Sequence, residues 1–282
     1  MHLPVLVVTG AGGIGIAACR RLGSGHHILL ADYTPAILSA ASAALESEGH
    51  VVTTQETDVS STDSVASLIS KAKSLATAES SRVAAVVHTA GVPPSTINPN
   101  RIWEINLMGA AYMLDACLEL ASPNMSMIVI ASLAGYLIGA PSPALSKHFL
   151  LSPTSELRDH PELKTDAAQA HPYGYAKCGN RLRVQAMATK YAAKGARVNS
   201  ISPGLINTNL ARAEMASNDA MKATIDNLIQ GSALKRIGST TDVANMVAFL
   251  CSGDAGFITG SDFVVDGGEL SSVNIHQASA SV

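Results

Sequence analysis

The run Leu3-Pro-Val-Leu-Val-Val-Thr-Gly-Ala-Gly-Gly-Ile-Gly15 decides how this chain folds. Residues 3–8 form a short apolar stretch of the length and β-branched content of a buried strand. Residues 14–22 follow at once with apolar side chains at helical spacing. Between the two, Gly10, Gly12 and Gly15 satisfy G-x-G-x-x-G, with Gly13 inside the motif. Such a turn lets backbone approach a pyrophosphate closely and sets that anion at a helix N-terminus, where unpaired amides point outward. Glycine-rich turns are common, so the strand before and the helix after are what give this one meaning. The unit is expected to hold a dinucleotide, with Gly10, Gly12, Gly13, Ile14 and Gly15 along its phosphates.

The same alternation continues through the 282 residues. Apolar runs at 27–31, 51–57, 83–88, 125–131, 197–201 and 262–265 read as strands. Stretches 35–48, 64–78, 101–121, 173–193 and 241–251 read as helices. Continuous apolar strands separated by helices specify a parallel sheet covered on both faces. The expected fold is α/β: a doubly wound parallel sheet of about seven strands flanked by helices, in one domain spanning 1–282. Two stretches break the rhythm. Residues 140–172 carry Pro141, Pro143, Pro153, Pro161 and Pro172 among Leu145, Phe149, Leu150 and Leu151. That is long for a connection, and reads as a substrate-site insertion or a packed helical excursion. Residues 205–236 place Leu210, Met215, Met221, Ile225, Leu228 and Ile229 at roughly helical spacing. They read as a cover over the site or, again, as a packed excursion.

Asp32 closes the second predicted strand, where a carboxylate can accept both hydroxyls of an adenosine ribose and repel a 2′-phosphate. Tyr33, Thr34 and Pro35 follow it with no basic residue, which favours NAD over NADP. The alternative is that Asp32 caps the next helix. Asp58-Val59 has the form of an adenine contact, the carboxylate accepting the amino group and Val59 packing on the ring; Asp58 as a helix cap is its alternative. In His171-Pro-Tyr-Gly-Tyr-Ala-Lys177, Tyr173 and Lys177 share one helix face. A phenol ordinarily ionises near pH 10, and a cation at ~4 Å with an effective dielectric of ~20 is worth ~4 kcal/mol, enough to move that by a few units. The pair is a candidate general acid/base for hydroxyl–carbonyl interconversion, or an incidental surface pair. Tyr175 projects from another side of the helix and reads as packing.

Composition excludes several classes. Charged residues make up 15% of the chain, hydrophobic ones 47%, and the net charge is -3. No basic cluster offers a nucleic-acid footprint. No apolar stretch approaches the ~20 residues of a membrane helix. Cys19, Cys117, Cys178 and Cys251 are scattered without metal-ligand spacing, so no metal site is expected and a reducing compartment is. The apolar start lacks a basic n-region and a cleavage pattern, and the expectation is a cytoplasmic protein.

Taken together, these residues resemble the short-chain dehydrogenase/reductase family in its single-domain branch. The motifs run in order from Thr9-Gly-Ala-Gly-Gly-Ile-Gly15 through Asp58-Val59, Thr89-Ala-Gly91, Asn106, Ser132-Leu-Ala-Gly135 and Tyr173-x-x-x-Lys177 to Pro203-Gly204 with Thr208, and Val265-Asp-Gly-Gly268. The resemblance implies a Rossmann-type fold with Tyr173 as general acid/base. Lys177 would lower the Tyr173 pKa and bind the nicotinamide ribose, and Ser132 would donate to the substrate oxygen. Asn106 would hold a relay water. Ala90 and Gly91 would border the cofactor, while Pro203, Gly204, Ile206 and Thr208 would fix the nicotinamide. The implied activity is NAD-dependent interconversion of a secondary alcohol and a ketone, on a moderately hydrophobic substrate. The implied assembly is a homodimer or homotetramer paired through 101–121 and 173–193. An NADP-dependent ketoreductase of the same fold and a non-catalytic dinucleotide-binding regulator are the alternatives. Three departures stand out. The glycine loop is one residue short of the usual T-G-x-x-x-G-x-G. His88 stands where Asn is usual, and reads as a satisfied strand-end histidine. The separation of Ser132 from Tyr173 is enlarged, as in a hydroxysteroid dehydrogenase/carbonyl reductase branch where the extra segment shapes the substrate entrance.

Overall fold

Alternating strands and helices build the chain, seen here in a computed structural model that describes residues 2–78, 80–96, 98–215 and 219–280. The first half runs β1 (Val5–Thr9), α1 (Gly13–Leu22), β2 (His27–Asp32), α2 (Pro35–Ser47), β3 (Val51–Glu56), α3 (Thr62–Ala78) and β4 (Val83–His88). Then come α4 (Pro99–Ile102), α5 (Ala110–Ala116), β5 (Ser126–Ile130), α6 (Ala134–Leu137), α7 (Pro143–Leu151), α8 (Asp166–Ala170) and α9 (Pro172–Ala192). The chain closes with β6 (Arg197–Pro203), α10 (Asn209–Met215), α11 (Asp219–Gly231), α12 (Thr240–Cys251), β7 (Asp262–Val265) and α13 (Glu269–Ala280).

The strands form one seven-stranded sheet in the order β3-β2-β1-β4-β5-β6-β7, every neighbouring pair parallel. Strand order reverses between β1 and β4, so a crevice opens outside their carboxyl ends, where doubly wound sheets bind ligands. The central strands β1, β4 and β5 are almost wholly buried because both faces of the sheet are covered, while the edge strands β3 and β7 are more exposed. Val5 and Val7 face one core with Leu68, Met113 and Val184, while Leu6 and Val8 face the other with Leu38, Leu45 and Val247.

Two features differ from the sequence expectation, and a third settles an alternative. Stretch 101–121 is not one α-helix, since a π turn at Trp103–Gly109 separates α4 from α5 and a 3-10 turn follows at Cys117–Glu119. One extra residue in a turn barely shifts an apolar stripe, so periodicity could not reveal it. Helix α13 went unread because it lacks a continuous apolar stripe; Ile275 is 64% exposed. Residues 140–172 contain the short helices α7 and α8, in keeping with the packed helical excursion that is one of their two sequence readings. Their prolines sit where helices begin: Pro143 and Pro172 open α7 and α9, a position where the missing N–H costs nothing.

Those residues build a third apolar cluster, in which Leu145, Phe149, Leu157 and Leu163 pack with Trp103, Leu107 and Ala176. Buried Arg183 on α9 staples them down, donating to Ser152 O at 2.8 Å and Thr154 Oγ1 at 3.0 Å. Helix α7 therefore occupies part of the α9 surface through which subunits were expected to pair. Within 205–236, Ile225 is buried and Leu228 is 38% exposed. The side chains of Leu210, Met215 and Met221 lie outside the described ones.

Candidate active site

The glycine turn is shaped by what cannot fit in it. Gly10 has φ +91, and a Cβ there would lie 2.5 Å from Thr89 Oγ1. A Cβ on Gly15 would lie 1.9 Å from Gly10 O, so α1 can start only against glycine. Gly12 is different: a Cβ there would meet nothing within 4 Å, leaving an open cradle in front of the first turn of α1. Asp32 reaches back to this turn, Oδ2 accepting from Ala11 N at 2.7 Å and Oδ1 from Thr34 N at 2.9 Å. Thr34 is the cap residue of α2, so the capping alternative for Asp32 falls. The shortened loop is thus clamped by the same carboxylate expected to read the ribose.

After β3, Asp58 Oδ1 accepts from Ser60 N at 2.9 Å and Ser60 Oγ at 2.6 Å, while Ser61 Oγ accepts from Ser64 N in the first turn of α3. The expectation for Val59 needs correction. Its side chain is buried under the π turn, where a Cβ on Gly109 would meet Val59 Cγ2 at 2.8 Å. Val59 is core packing rather than a platform for a ring.

The other half of the crevice lies at the ends of β4, β5 and β6. Helix α9 begins at Pro172, which puts Tyr173 in its first turn, half-buried, and Lys177 one turn further in, buried. Lys177 Nζ donates to Ile130 O at 2.9 Å, at the end of β5, and stands 5.6 Å from the centre of the Tyr173 ring. Burial pushes its ammonium down to about 8, because charge is disfavoured away from water. Ser132 Oγ accepts from Ala134 N at 3.2 Å, which leaves its own O–H to donate. Gly135 and Gly174 let α6 close on α9: Cβ atoms there would lie 2.7 Å from Cys178 N and 3.0 Å from Ala134 O. That contact brings the Ser132 turn to Tyr173.

Asn106 sits in the π turn and is buried. Its Oδ1 accepts from Val92 N at 2.8 Å and its Nδ2 donates to Val92 O at 2.9 Å. Its side chain therefore binds the backbone just after Ala90-Gly91, using one acceptor site of Oδ1 and one hydrogen of Nδ2. A Cβ on Gly91 would lie 2.9 Å from Asn106 Oδ1 and 3.8 Å from Lys177 Nζ, so these three residues converge. His88 is buried with Nδ1 2.7 Å from Thr9 Oγ1; burial, helped by Lys177, pushes it down to about 3, and it stays neutral. Tyr175 packs against the third cluster, as its helical position suggested.

Beyond β6, Gly204 N donates to Val265 O at 3.0 Å and Ile206 bridges to Gly238. Thr208 Oγ1 accepts from Ala211 N at 3.0 Å, in the first turn of α10. Its methyl lies 3.3 Å from where a Cβ on Gly13 would be, so this loop abuts the glycine turn. One residue to which the sequence reading gave no role, Glu269, directly after the Val265–Gly268 motif, lies buried behind Gly204. Among the described residues no three His, Cys, Asp or Glu side chains group as metal ligands, and no helix is long and apolar enough to cross a membrane.

Comparison with known proteins supplies a family context. The family model described as "short chain dehydrogenase" matches residues 4–163, and one described as "Enoyl-(Acyl carrier protein) reductase" matches residues 164–269. A "Short-chain dehydrogenase/reductase bsc3" from Alternaria brassicicola is 36% identical over 272 residues, 96% of this chain and 97% of that one. "Dehydrogenase/reductase SDR family member 4" from Bos taurus is 29% identical, covering 94% of this chain and 86% of its own length. Among solved structures, a "Short-chain dehydrogenase/reductase SDR:Glucose/ribitol dehydrogenase" from Brucella melitensis is 29% identical with a TM-score of 0.71, covering 94% of this chain and 96% of that chain.

Proposed function

The chain belongs to the short-chain dehydrogenase/reductase family of oxidoreductases, and we propose that it is an NAD-dependent enzyme interconverting a secondary alcohol and a ketone, with Tyr173 as general acid/base. The observation that carries this reading is buried Lys177 one helical turn from Tyr173, at the mouth of a crevice that also holds Ser132. The residues present fit a dinucleotide: the open cradle at Gly12 faces the start of α1, and Asp32 closes the ribose end. When bound, NAD supplies or accepts the hydride.

The chain's own residues manage the oxygen. In reduction, Ser132 donates a hydrogen bond to the carbonyl oxygen and the Tyr173 O–H gives it a proton; in oxidation Tyr173 takes that proton back. The Lys177 charge, poorly hydrated where it sits, stabilises the phenolate form. Asn106 fixes the 91–92 turn beside Lys177 and offers its main chain to a water leading protons outward. Pro203, Gly204, Ile206 and Thr208 hold the nicotinamide end, and Gly10, Gly13, Ile14 and Gly15 the pyrophosphate. Asp58, Ala90 and Gly91 border the adenosine half. A moderately hydrophobic substrate suits the flanking segments 140–172 and 205–236, where Leu151 is 71% and Leu234 62% exposed.

A panel of secondary alcohols and ketones, assayed with NADH and NADPH in parallel, tests the reading. NADH-dependent turnover that drops at least about a hundredfold in Tyr173→Phe, with NADH binding within about twofold, is expected. Turnover retained by Tyr173→Phe, or a preference for NADPH, overturns the corresponding half.

A further inference from the structure

Helix α13 starts at Glu269, directly after the Asp266-Gly-Gly268 turn. Asp266 spends its carboxylate on that turn, Oδ1 accepting from Gly268 N at 2.8 Å and Oδ2 from Leu270 N at 2.7 Å. Glu269 does something different. It is buried, only 7% exposed, and its side chain turns back beneath the loop after β6, with Oε2 3.0 Å from where a Cβ on Gly204 would be. Asp266 Cβ lies beside it, 2.7 Å from the same position, so the Glu269 carboxylate sits against the back of the Gly204 loop assigned above to the nicotinamide. Among the described residues neither Glu269 nor Asp266 forms an ion pair.

We propose that Glu269 biases the dinucleotide site toward the oxidised cofactor, its carboxylate behind Gly204–Leu205 stabilising the cationic nicotinamide ring of NAD+ over the uncharged ring of NADH. The inference rests on the NAD-binding function proposed above and gives it a direction: the site favours the state from which an alcohol is oxidised. The physical reason is unequal charge. The two redox forms share phosphates, riboses and adenine, so contacts to those parts bind both equally. A charge near the ring distinguishes them, because only the oxidised ring is cationic. A buried carboxylate acts strongly here, since little water screens it.

Four groups set the strength of the effect. Burial and neighbouring Asp266 raise the Glu269 carboxyl above its ordinary value, while the Leu205 backbone amide opposes them. The N-terminus of α13 also favours the ionised form. Lys177 is the opposing charge in the crevice, and its ammonium, pushed down to about 8 by burial, is weakened in alkaline buffer.

The test is calorimetric titration of the purified full chain with NAD+ and, separately, NADH at pH 8, for the natural protein, Glu269→Gln and Glu269→Ala. In Glu269→Gln the shape and an acceptor oxygen persist while the charge is lost. Its affinity for NAD+ should fall about tenfold relative to NADH, the scale on which one neighbouring charge moves an ionisation by about one unit. Glu269→Ala should show the same change in ratio plus a weakening common to both forms, from the void under Gly204. If Glu269→Gln folds poorly by circular dichroism, Glu269→Met, uncharged and of similar length, replaces it with the same expectation. A NAD+/NADH affinity ratio unchanged in the uncharged variants, with both forms bound by the natural protein, overturns the role of Glu269 alone. Failure of the natural protein to bind either form overturns the proposed function and this inference with it.

Discussion

Replacing Gly135 by alanine tests whether the approach of α6 to α9 sets the chemistry. The new Cβ would lie 2.7 Å from Cys178 N and 2.9 Å from Lys177 C, both backbone atoms that cannot rotate away. Restoring ordinary contact requires the two helices to part by roughly 0.7 Å. Overpacking of this kind costs about 1–3 kcal/mol, which a domain of this size tolerates. The displacement falls on the Ser132 turn relative to Tyr173 and Lys177, and misplacing reacting groups by about 1 Å can cost about a hundredfold in rate. The expected outcome is a kcat reduced by tenfold to a hundredfold, with NADH affinity within about twofold, because Asp32 and the glycine turn lie on the far side of β1. Steady-state kinetics on a substrate from the ketone panel, NADH fluorescence titration and urea denaturation read the three quantities. Gly12→Ala is the counterpart: its Cβ meets nothing within 4 Å, so stability should hold while cofactor affinity falls. A Gly135→Ala enzyme with unaltered kcat would refute the claim that this helix contact positions Ser132.

Three further outcomes are expected. Folding stability should fall as pH drops from 6.5 toward 3, because His88 is pushed down from 6.5 to about 3 and the unfolded chain binds that proton first. The slope from this group is about 1.4 kcal/mol per pH unit, so between pH 6.5 and 5 His88→Asn should lose about 2 kcal/mol less than the natural chain in urea melts. Arg183→Ala should destabilise the chain by about 2–4 kcal/mol, since it orphans the Ser152 carbonyl and leaves Asp115 without its cation; faster amide exchange confined to residues 140–172 would locate the loss. Asp32→Ala should weaken NADH binding and loosen the turn around Ala11, since one carboxylate serves both. Equal NADH affinity in that variant would remove Asp32 from the ribose site.

The sheet, and the residues of the candidate site, were legible in the sequence where the signal is local. Apolar runs such as 5–8 and 83–87 fall within β1 and β4, because a strand buried on both faces must be largely apolar. Gly10 and Gly15 were legible because a positive φ and a 1.9 Å approach leave no room for another residue type. The Tyr173–Lys177 pair was legible because helical spacing alone puts them on one face. Tertiary structure decided the rest. The π turn around Asn106, the turning of Val59 into the core and the stapling of 140–172 by Arg183 each depend on partners far away in sequence. So does the most consequential case: the Val265–Gly268 motif gives Glu269 itself no role, and only the return of β7 beside β6 carries its carboxylate beneath Gly204. Periodicity and backbone constraint are properties of neighbouring residues and can be read along the chain. Which charge ends up behind which loop is a property of packing, and it exists only once the sheet has closed.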